Sequence, residues 1–276
     1  MKLKKNTISA IILLVGLVVI ISLSGLSFVI PNITQTDADK TQIDADNTSE
    51  NLREFTLEKM NNFFLTTKDN IKIATNLYSV ENPIAWVIFV HMMPSTKESW
   101  HDLAIKLQGL GYESLAVDLR GHGESDGGPD SFLNFSNKEH QKSIMDLETA
   151  VEYLKIRGAT PEKINFIGAS IGANLSLQYI SENNEFKTAI LLSPGLNYKE
   201  IKTESMVIKL KDGQKVLFVS SRDDGLNTEH NQKLFDLTSA EIKKDLIIYK
   251  NAGHGTDMFG KEEPDLESVI IQFLKL

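Results

Sequence analysis

A serine between two glycines is the first feature of the sequence that could do chemistry. Residues 168–172 read Gly-Ala-Ser-Ile-Gly, so Ser170 follows the apolar run 164–167 and precedes a helix-like segment, 171–182. Small neighbours allow a sharp turn between a strand and a helix, which exposes the hydroxyl. The first amides of such a helix can stabilise a developing negative charge. The pattern alone indicates either a nucleophile or a tight turn.

A serine hydroxyl needs a base to act as a nucleophile at neutral pH. Of the six histidines, His254 lies in the glycine-flanked loop "NAGHGTDMF", directly after an apolar run and before the last helix-like segment. The carboxyl end of a strand is where an α/β sheet presents its active site. His140 and His230 fall in polar, helical stretches typical of solvated surfaces. His254 is therefore the predicted base.

The base in turn needs a carboxylate to orient it. "VLFVSSRDDGLN" supplies Asp223 and Asp224 in a turn after an apolar strand, between Ser170 and His254 in the chain. From the residue types and spacing, either aspartate can be the partner of the imidazole.

Short apolar runs alternate with amphipathic, helix-like segments over the part of the chain that must hold these residues in place. Residues 85–90 form a continuous apolar run, which is typical of a strand buried on both faces. Residues 137–154 have the spacing of one long amphipathic helix. This alternation predicts an α/β domain over 59–276, with a mostly parallel sheet covered by helices on both faces.

Four stretches together resemble the α/β-hydrolase fold family of serine hydrolases, which includes carboxylesterases and serine aminopeptidases. They are "GASIG", "VDLRGHGESDG" (117–127), "SSRDDG" and "AGHG", and they follow the family order of serine, aspartate and histidine. The resemblance covers nearly all of 60–276 and implies a doubly wound, mostly parallel sheet. In the family the catalytic aspartate usually stands three residues after a glycine. That position is Ser221 here, so the resemblance favours Asp224 over Asp223.

The resemblance also implies an oxyanion hole formed by the backbone N–H groups of Met93 and Ile171. His91 matches the family pattern at the end of the third strand of the sheet, whereas Met92 stands where the family often has glycine. The loop 117–127, with Asp118, Arg120 and His122, is expected to brace the sheet edge and the oxyanion loop rather than take part in the chemistry.

The implied activity is hydrolysis of carboxylic esters or similar acyl compounds through an acyl-enzyme, with no cofactor and no metal. The substrate is expected to be a small-molecule ester or a short peptide, and a serine peptidase or amidase of the same fold is the alternative. A non-catalytic surface binding protein is a third possibility. Residues 193–215 leave room for a short helix but not for a large cap, which predicts a lidless or short-lidded, open cleft.

Composition excludes several other classes. The net charge of −8 without a clustered basic stretch argues against a nucleic-acid partner. Because the chain has no cysteine, it has no disulfide, cysteine nucleophile or thiolate metal site. The sequence leaves the oligomeric state open.

The N-terminal segment predicts a membrane anchor or signal segment over 1–31. Lys2, Lys4 and Lys5 precede residues 8–30, which carry no charge. As a helix these would extend about 34 Å, enough to cross a bilayer core of about 30 Å. A retained transmembrane helix would leave the domain outside the cytoplasm, and the alternative is a cleaved signal peptide and secretion. The acidic, polar residues 32–58 are predicted to form a flexible linker.

Overall fold

The computed structural model describes residues 11–13, 18–20 and 60–275. The chain divides into two units, Met1–Arg53 and Glu54–Leu276. In the first, strands β1 (Ile11–Leu13) and β2 (Val18–Ile20) pair antiparallel, with Ile11 opposite Ile20.

This pairing corrects the helix predicted over 8–30 at the six described residues. Their sequences, Ile-Ile-Leu and Val-Val-Ile, are rich in β-branched side chains, which favour extended backbone. A short apolar run does not by itself distinguish strand from helix. The other residues of 8–30 and the predicted linker 32–58 lie outside the described part. Within the described residues, no helix is both long and apolar enough to cross a membrane.

An eight-stranded sheet forms the centre of the second unit. Its spatial order is β12-β11-β8-β7-β5-β6-β4-β3, in which the first six strands run parallel and β4 and β3 pair antiparallel at one edge. The strands are β3 (Met60–Thr66), β4 (Lys72–Tyr78), β5 (Ala85–Val90), β6 (Tyr112–Val117), β7 (Ile164–Ala169), β8 (Thr188–Leu192), β11 (Lys215–Ser221) and β12 (Lys243–Tyr249), and a separate two-stranded hairpin consists of β9 (Asn197–Tyr198) and β10 (Ile201–Lys202).

Helices cover both faces of this sheet, as the alternation predicts. They are α1 (His101–Gly109), α2 (Asn137–Gln141), α3 (Ile144–Ile156), α4 (Ile171–Glu182), α5 (Glu204–Lys209), α6 (Asn227–Leu237) and α7 (Leu266–Leu274), with short 3-10 turns at Lys97–Trp100, Ser131–Asn134, Pro161–Lys163 and Gly255–Met258. One apolar core contains side chains of α3 to α6, and the other contains those of α1 and α7.

The central strands read as continuous apolar runs because both of their faces are buried. In β7 and β8 every residue is buried, and β5 is buried from its second residue onward. Phe89 of β5 stacks on Trp100 at a ring-centroid distance of 5.0 Å, and both side chains are fully buried. Burial of each such large apolar side chain contributes about 1.5–3 kcal/mol to folding.

Two segments differ from the expected helices. The helix predicted over 137–154 is broken between α2 and α3, where Met145 and Asp146 donate to the carbonyls three residues earlier rather than four. The segment 193–215 holds the expected short helix, α5, but also the β9–β10 hairpin, which the sequence pattern did not indicate. Lys199 and Glu200 form its turn with positive φ.

The strand order brings five loops together. β7 lies between β5 and β8, and β11 and β12 follow β8 on the same side. Because these strands are parallel, the loops after them all emerge at one edge of the sheet. These loops carry all the residues of the predicted site.

Candidate active site

Ser170 occupies a strained turn between β7 and α4. Its backbone has φ 53° and ψ −119°, in the left-handed region that non-glycine residues rarely adopt. Its N–H donates to Leu192 O at 2.8 Å. An added Cβ on Gly168 would lie 2.2 Å from Gly172 O, and one on Gly172 would lie 2.3 Å from Val90 O. Both glycines are therefore required for the close approach of α4 to the sheet.

His254 and Asp224 form a hydrogen-bonded pair. The Nδ1 of His254 donates to Asp224 Oδ2 at 2.6 Å, and both side chains are partly exposed, by 31% and 18%. This bond fixes the imidazole with its Nε2 available to accept a proton, the arrangement that a general base requires.

The loop of His254 packs against the turn of Ser170. An added Cβ on Gly255 would lie 3.2 Å from Ala169 Cβ, so the residue after the histidine contacts the residue before the serine. The Gly255 N–H also donates to Ser193 Oγ at 2.9 Å. Among residues 60–275, no hydrogen bond joins the Ser170 hydroxyl to His254.

Asp223 has a different set of partners from Asp224. Its Oδ1 accepts from the Ser221 hydroxyl and from the Gly253 N–H, the latter at 3.2 Å. Ser221 Oγ in turn accepts from the Ala252 N–H at 2.8 Å. These bonds lower the pKa of the Asp223 carboxyl, Ser221 first among them. Asp223 thus connects the aspartate loop to the histidine loop, while Asp224 alone contacts the imidazole.

The two predicted oxyanion-hole amides are both unpaired. Among residues 60–275, neither the Met93 nor the Ile171 N–H donates a hydrogen bond. Ile171 is the first residue of α4, where the helix leaves its N–H groups free. Met92 is buried and directs its sulfur at the histidine loop, where Thr256 Oγ1 donates to it at 3.8 Å. Its side chain therefore fills the space against Gly255.

The loop after β6 contacts the segment that carries the predicted oxyanion hole. The Leu119 N–H donates to Nε2 of the fully buried His91 at 2.9 Å, and His91 Nδ1 donates to Met92 O at 2.9 Å. Burial lowers the pKa of His91 to about 4, which keeps the ring neutral in this role.

Buried ion pairs hold the same loop in place. Asp118 accepts from Lys97 N at 2.7 Å and from Lys97 Nζ at 3.0 Å. Arg120 donates to Asp146 at 2.8 Å and to Asp69 at 2.7 Å. His122 stacks on Phe132. All of these contacts lie within the protein frame, which fits the bracing role predicted for Asp118, Arg120 and His122.

Tyr198 is a site residue that the sequence analysis missed. It lies on the β9–β10 hairpin, where its Oη accepts from Asn227 Nδ2 at 3.3 Å and donates to Ser193 O at 3.4 Å. Burial, followed by the nearby Asp224 carboxylate, raises the pKa of the phenol. The one available signal was an aromatic residue soon after a buried strand, at the edge of the sheet where the predicted site lies. No group of three or more His, Asp or Glu side chains within the described residues could hold a metal ion.

Comparison with known proteins also assigns an α/β-hydrolase fold to the domain. The sequence profile of the α/β hydrolase fold matches residues 85–214, which include the predicted nucleophile turn. This chain has the α/β-hydrolase fold. Comparison with curated proteins found no match.

Solved structures similar to this α/β-hydrolase domain include several enzymes. Esterase Pf2001 from Pyrococcus furiosus has a TM-score of 0.63 and 23% identity, covering 78% of this chain and 89% of its own. Acetyl xylan esterase from Paenibacillus sp. R4 has a TM-score of 0.62 and 14% identity, covering 83% and 93%. Dienelactone hydrolase from Anabaena variabilis has a TM-score of 0.58 and 18% identity, covering 78% and 95%. At these identities the likeness establishes the fold.

Proposed function

We propose that this protein is a serine hydrolase that cleaves carboxylic esters or similar acyl compounds through an acyl-enzyme. The observation that carries the proposal is the combination of Ser170 in a strained turn at the start of α4 with the Asp224–His254 pair on the adjoining loops. A binding protein has no need of a strained serine next to an oriented imidazole.

In the proposed reaction, Ser170 Oγ attacks the substrate carbonyl while His254 Nε2 takes its proton. Asp224 holds the imidazole in the required tautomer and stabilises its positive charge. The free amides of Met93 and Ile171 support the oxyanion, and each such donor is worth about 3–4 kcal/mol of transition-state stabilisation. Water then attacks the acyl-enzyme with His254 as base, which releases the acid and restores Ser170.

Two features support small-molecule esters as the substrate class. The segment after β8 consists of the β9–β10 hairpin, with two residues in each strand, and the short helix α5. This segment is too small to form a large cap over the cleft. The structurally similar proteins include enzymes named as esterases. A panel of p-nitrophenyl esters and aminoacyl amides tests this class, and turnover of the amides alone would assign a peptidase or amidase instead.

Fluorophosphonate labelling tests the enzyme itself. The wild-type protein is expected to be labelled on Ser170, and the Ser170→Ala variant is expected to remain unlabelled because the nucleophilic oxygen is gone. Circular dichroism on both proteins controls for folding. A folded wild type that resists labelling would leave the non-catalytic binding protein as the better assignment.

For the location of the domain we propose attachment to the outer side of a membrane through residues 8–30, supported by the uncharged length of this segment and the lysines before it. In untreated cells the domain should then fractionate with the membranes. Protease added to intact cells should digest it. Recovery of the domain in the medium would instead support signal cleavage.

A further inference from the structure

The segment at the end of β8 binds all three loops of the proposed triad. Leu192 O accepts from the Ser170 N–H at 2.8 Å, and Pro194 O accepts at 3.0 Å from an asparagine of α6, the helix after the aspartate loop. Between them, Ser193 Oγ accepts from the Gly255 N–H of the histidine loop at 2.9 Å. Only this last bond uses a side chain of the segment, so a single substitution can remove it and leave the other two.

Ser193 has a strained backbone and a fully buried side chain. Its φ is 51°, in the left-handed region that favours glycine, and its exposed fraction is 0%. Its N–H donates to Val219 O at 2.8 Å, a bond that glycine could also make. Glycine would adopt this backbone with less strain. What serine adds at this position is therefore its hydroxyl, which accepts from Gly255.

The other side of Gly255 is closely packed. Its φ is 57°, and an added Cβ would lie 2.5 Å from Met92 Sδ and 3.2 Å from Ala169 Cβ. The backbone directly after His254 thus lies against the turn that holds the nucleophile. Close packing and the hydrogen bond to Ser193 together fix the chain at this point.

The imidazole of His254 depends on this backbone for its distance to the nucleophile. Its side chain is 31% exposed, and its hydrogen bond in the structure is the one to Asp224. That bond sets the tautomer and the direction of the ring. A displacement of about 1 Å can lower the rate of a reaction by about 10²-fold. A hydrogen bond to the residue next to His254 is therefore placed to control the proton transfer from Ser170.

We propose that Ser193 is a positioning residue of the proposed hydrolase. Its hydroxyl holds the Gly255 N–H and so keeps His254 Nε2 within reach of Ser170 Oγ. This inference rests on the proposed function. Ser193 takes no part in the bonds that form and break, because it acts only through Gly255.

Two substitutions at Ser193 test this proposal, since both remove the hydroxyl but differ in backbone strain. We expect Ser193→Ala to lower the kcat for p-nitrophenyl acetate and the rate of fluorophosphonate labelling by about tenfold. KM should stay within about twofold, because the imidazole acts in the chemical step. Ser193→Gly should show the same loss of kcat although it unfolds at a higher temperature than Ser193→Ala. The glycine variant also decides the matter if the alanine variant fails to fold.

The matched control is Thr67→Val, which removes another buried hydroxyl and keeps the branched shape of the side chain. Thr67 Oγ1 accepts from the Ile71 N–H at 3.0 Å, in the turn between β3 and β4 at the antiparallel edge of the sheet. We expect Thr67→Val and Ser193→Ala both to lower the thermal midpoint, because each leaves a backbone N–H without its acceptor. Only Ser193→Ala should lower kcat.

Several outcomes would overturn the proposal. A wild-type kcat in Ser193→Ala would show that the hydroxyl does not position His254, and a raised KM alone would assign substrate binding instead. A kcat that recovers in Ser193→Gly together with the thermal midpoint would assign a purely structural role, as would an equal loss of kcat in Thr67→Val. If the folded wild type itself is not labelled, the proposed function fails, a result distinct from equal labelling of the wild type and Ser193→Ala.

Discussion

Asp223 and Asp224 are neighbours in the chain, yet their carboxylates bind different groups. Asp224 accepts the Nδ1 proton of His254, whereas Asp223 accepts from Ser221 and Gly253. An asparagine at position 224 would no longer hold the imidazole in the required tautomer. An asparagine at position 223 would only weaken the contact between the aspartate loop and the histidine loop.

We therefore expect Asp224→Asn to lower kcat for a p-nitrophenyl ester by about 10⁴-fold. Asp223→Asn should lower it by less than about tenfold, because only loop contacts are affected. Steady-state kinetics on the two variants, which differ by one position in the sequence, measure the contrast directly. Equal losses, or the larger loss in Asp223→Asn, would reverse the assignment.

For single residues, the sequence analysis predicted the placement of side chains that lie in the loop directly after a strand. Ser170, Asp224 and His254 each follow a strand of the parallel sheet, namely β7, β11 and β12, so their loops emerge at one edge. Tyr198 was missed because its position depends on the turn at Lys199 and Glu200. His140 was predicted to be solvated and is only 2% exposed, since the break between α2 and α3 turns it inward, against Phe135.

Among the elements, the loop after β6 depends on one buried arginine. Arg120 binds Asp146 of α3 through Nε, Nη2 and its backbone N–H, at 3.0, 2.8 and 2.9 Å, and binds Asp69 in the β3–β4 turn. Burial raises the pKa of Asp146 to about 6, and the hydrogen bonds and charge of Arg120 oppose this rise. If the guanidinium were removed, Asp146 would be a fully buried carboxylate without a charged partner, and of its bonds to residue 120 only the one from the backbone N–H would remain.

Arg120→Ala is accordingly expected to lower the free energy of unfolding by about 3–5 kcal/mol at pH 7. Lys155→Ala is the control, because Lys155 pairs with Glu152 on the surface and such pairs contribute about 0–1 kcal/mol. Urea denaturation of both variants gives the two values. A loss for Arg120→Ala no larger than that of the control would contradict the bracing role.

The elements themselves were largely predictable, and their exceptions have physical causes. The helix 171–182 and the strand 85–90 have the expected bounds, because amphipathic and fully buried patterns are strong signals over these lengths. The split at 142–143 was not visible, since apolar spacing continues across it. The β9–β10 hairpin has only two residues in each strand, too few for any periodicity to register.

For the molecule as a whole, buried histidines make stability depend on pH. Burial lowers the pKa of His91 and of His140 to about 4, and also lowers that of His122. The ordinary histidine value is 6.5. Between pH 6.5 and 4 the unfolded chain binds protons that the folded protein does not, so stability falls as pH falls. Asp146, with its raised pKa, acts in the opposite direction over part of this range but is one group against three.

We expect the thermal midpoint to fall as pH is lowered from 7 to 4.5 and to fall less steeply in His140→Phe. The groups that act on His140 are Lys199, His122 and Glu139, and its Nε2 has no hydrogen-bond partner among the described residues. A phenyl ring can therefore replace the imidazole without losing a bond at that atom. His230→Gln, at a half-exposed position of α6, is the control substitution. A slope in His140→Phe equal to that of the wild type would show that this histidine does not contribute.

At this scale the α/β class followed from the alternation of patterns, whereas the strand order did not. Parallel, fully buried strands look alike in sequence, so nothing in residues 85–90 or 164–169 states that β5 and β7 are neighbours. The resemblance implied a doubly wound, mostly parallel sheet, and the order of its strands comes from the structure. In the described part of the predicted anchor, the length of the apolar run predicted a helix, whereas the structure has the strands β1 and β2.

The positive φ of Ser170 makes the fold less stable than its own sequence would allow. A residue held in that region costs about 1–3 kcal/mol, which glycine largely avoids. Ser170→Gly should therefore unfold at a higher urea concentration than Ser170→Ala, although both lack the nucleophilic oxygen, because alanine keeps the Cβ. Equal midpoints would show that the turn is relaxed. The fold is therefore less stable at the position where its chemistry is proposed to occur, and selection for stability alone would favour glycine there.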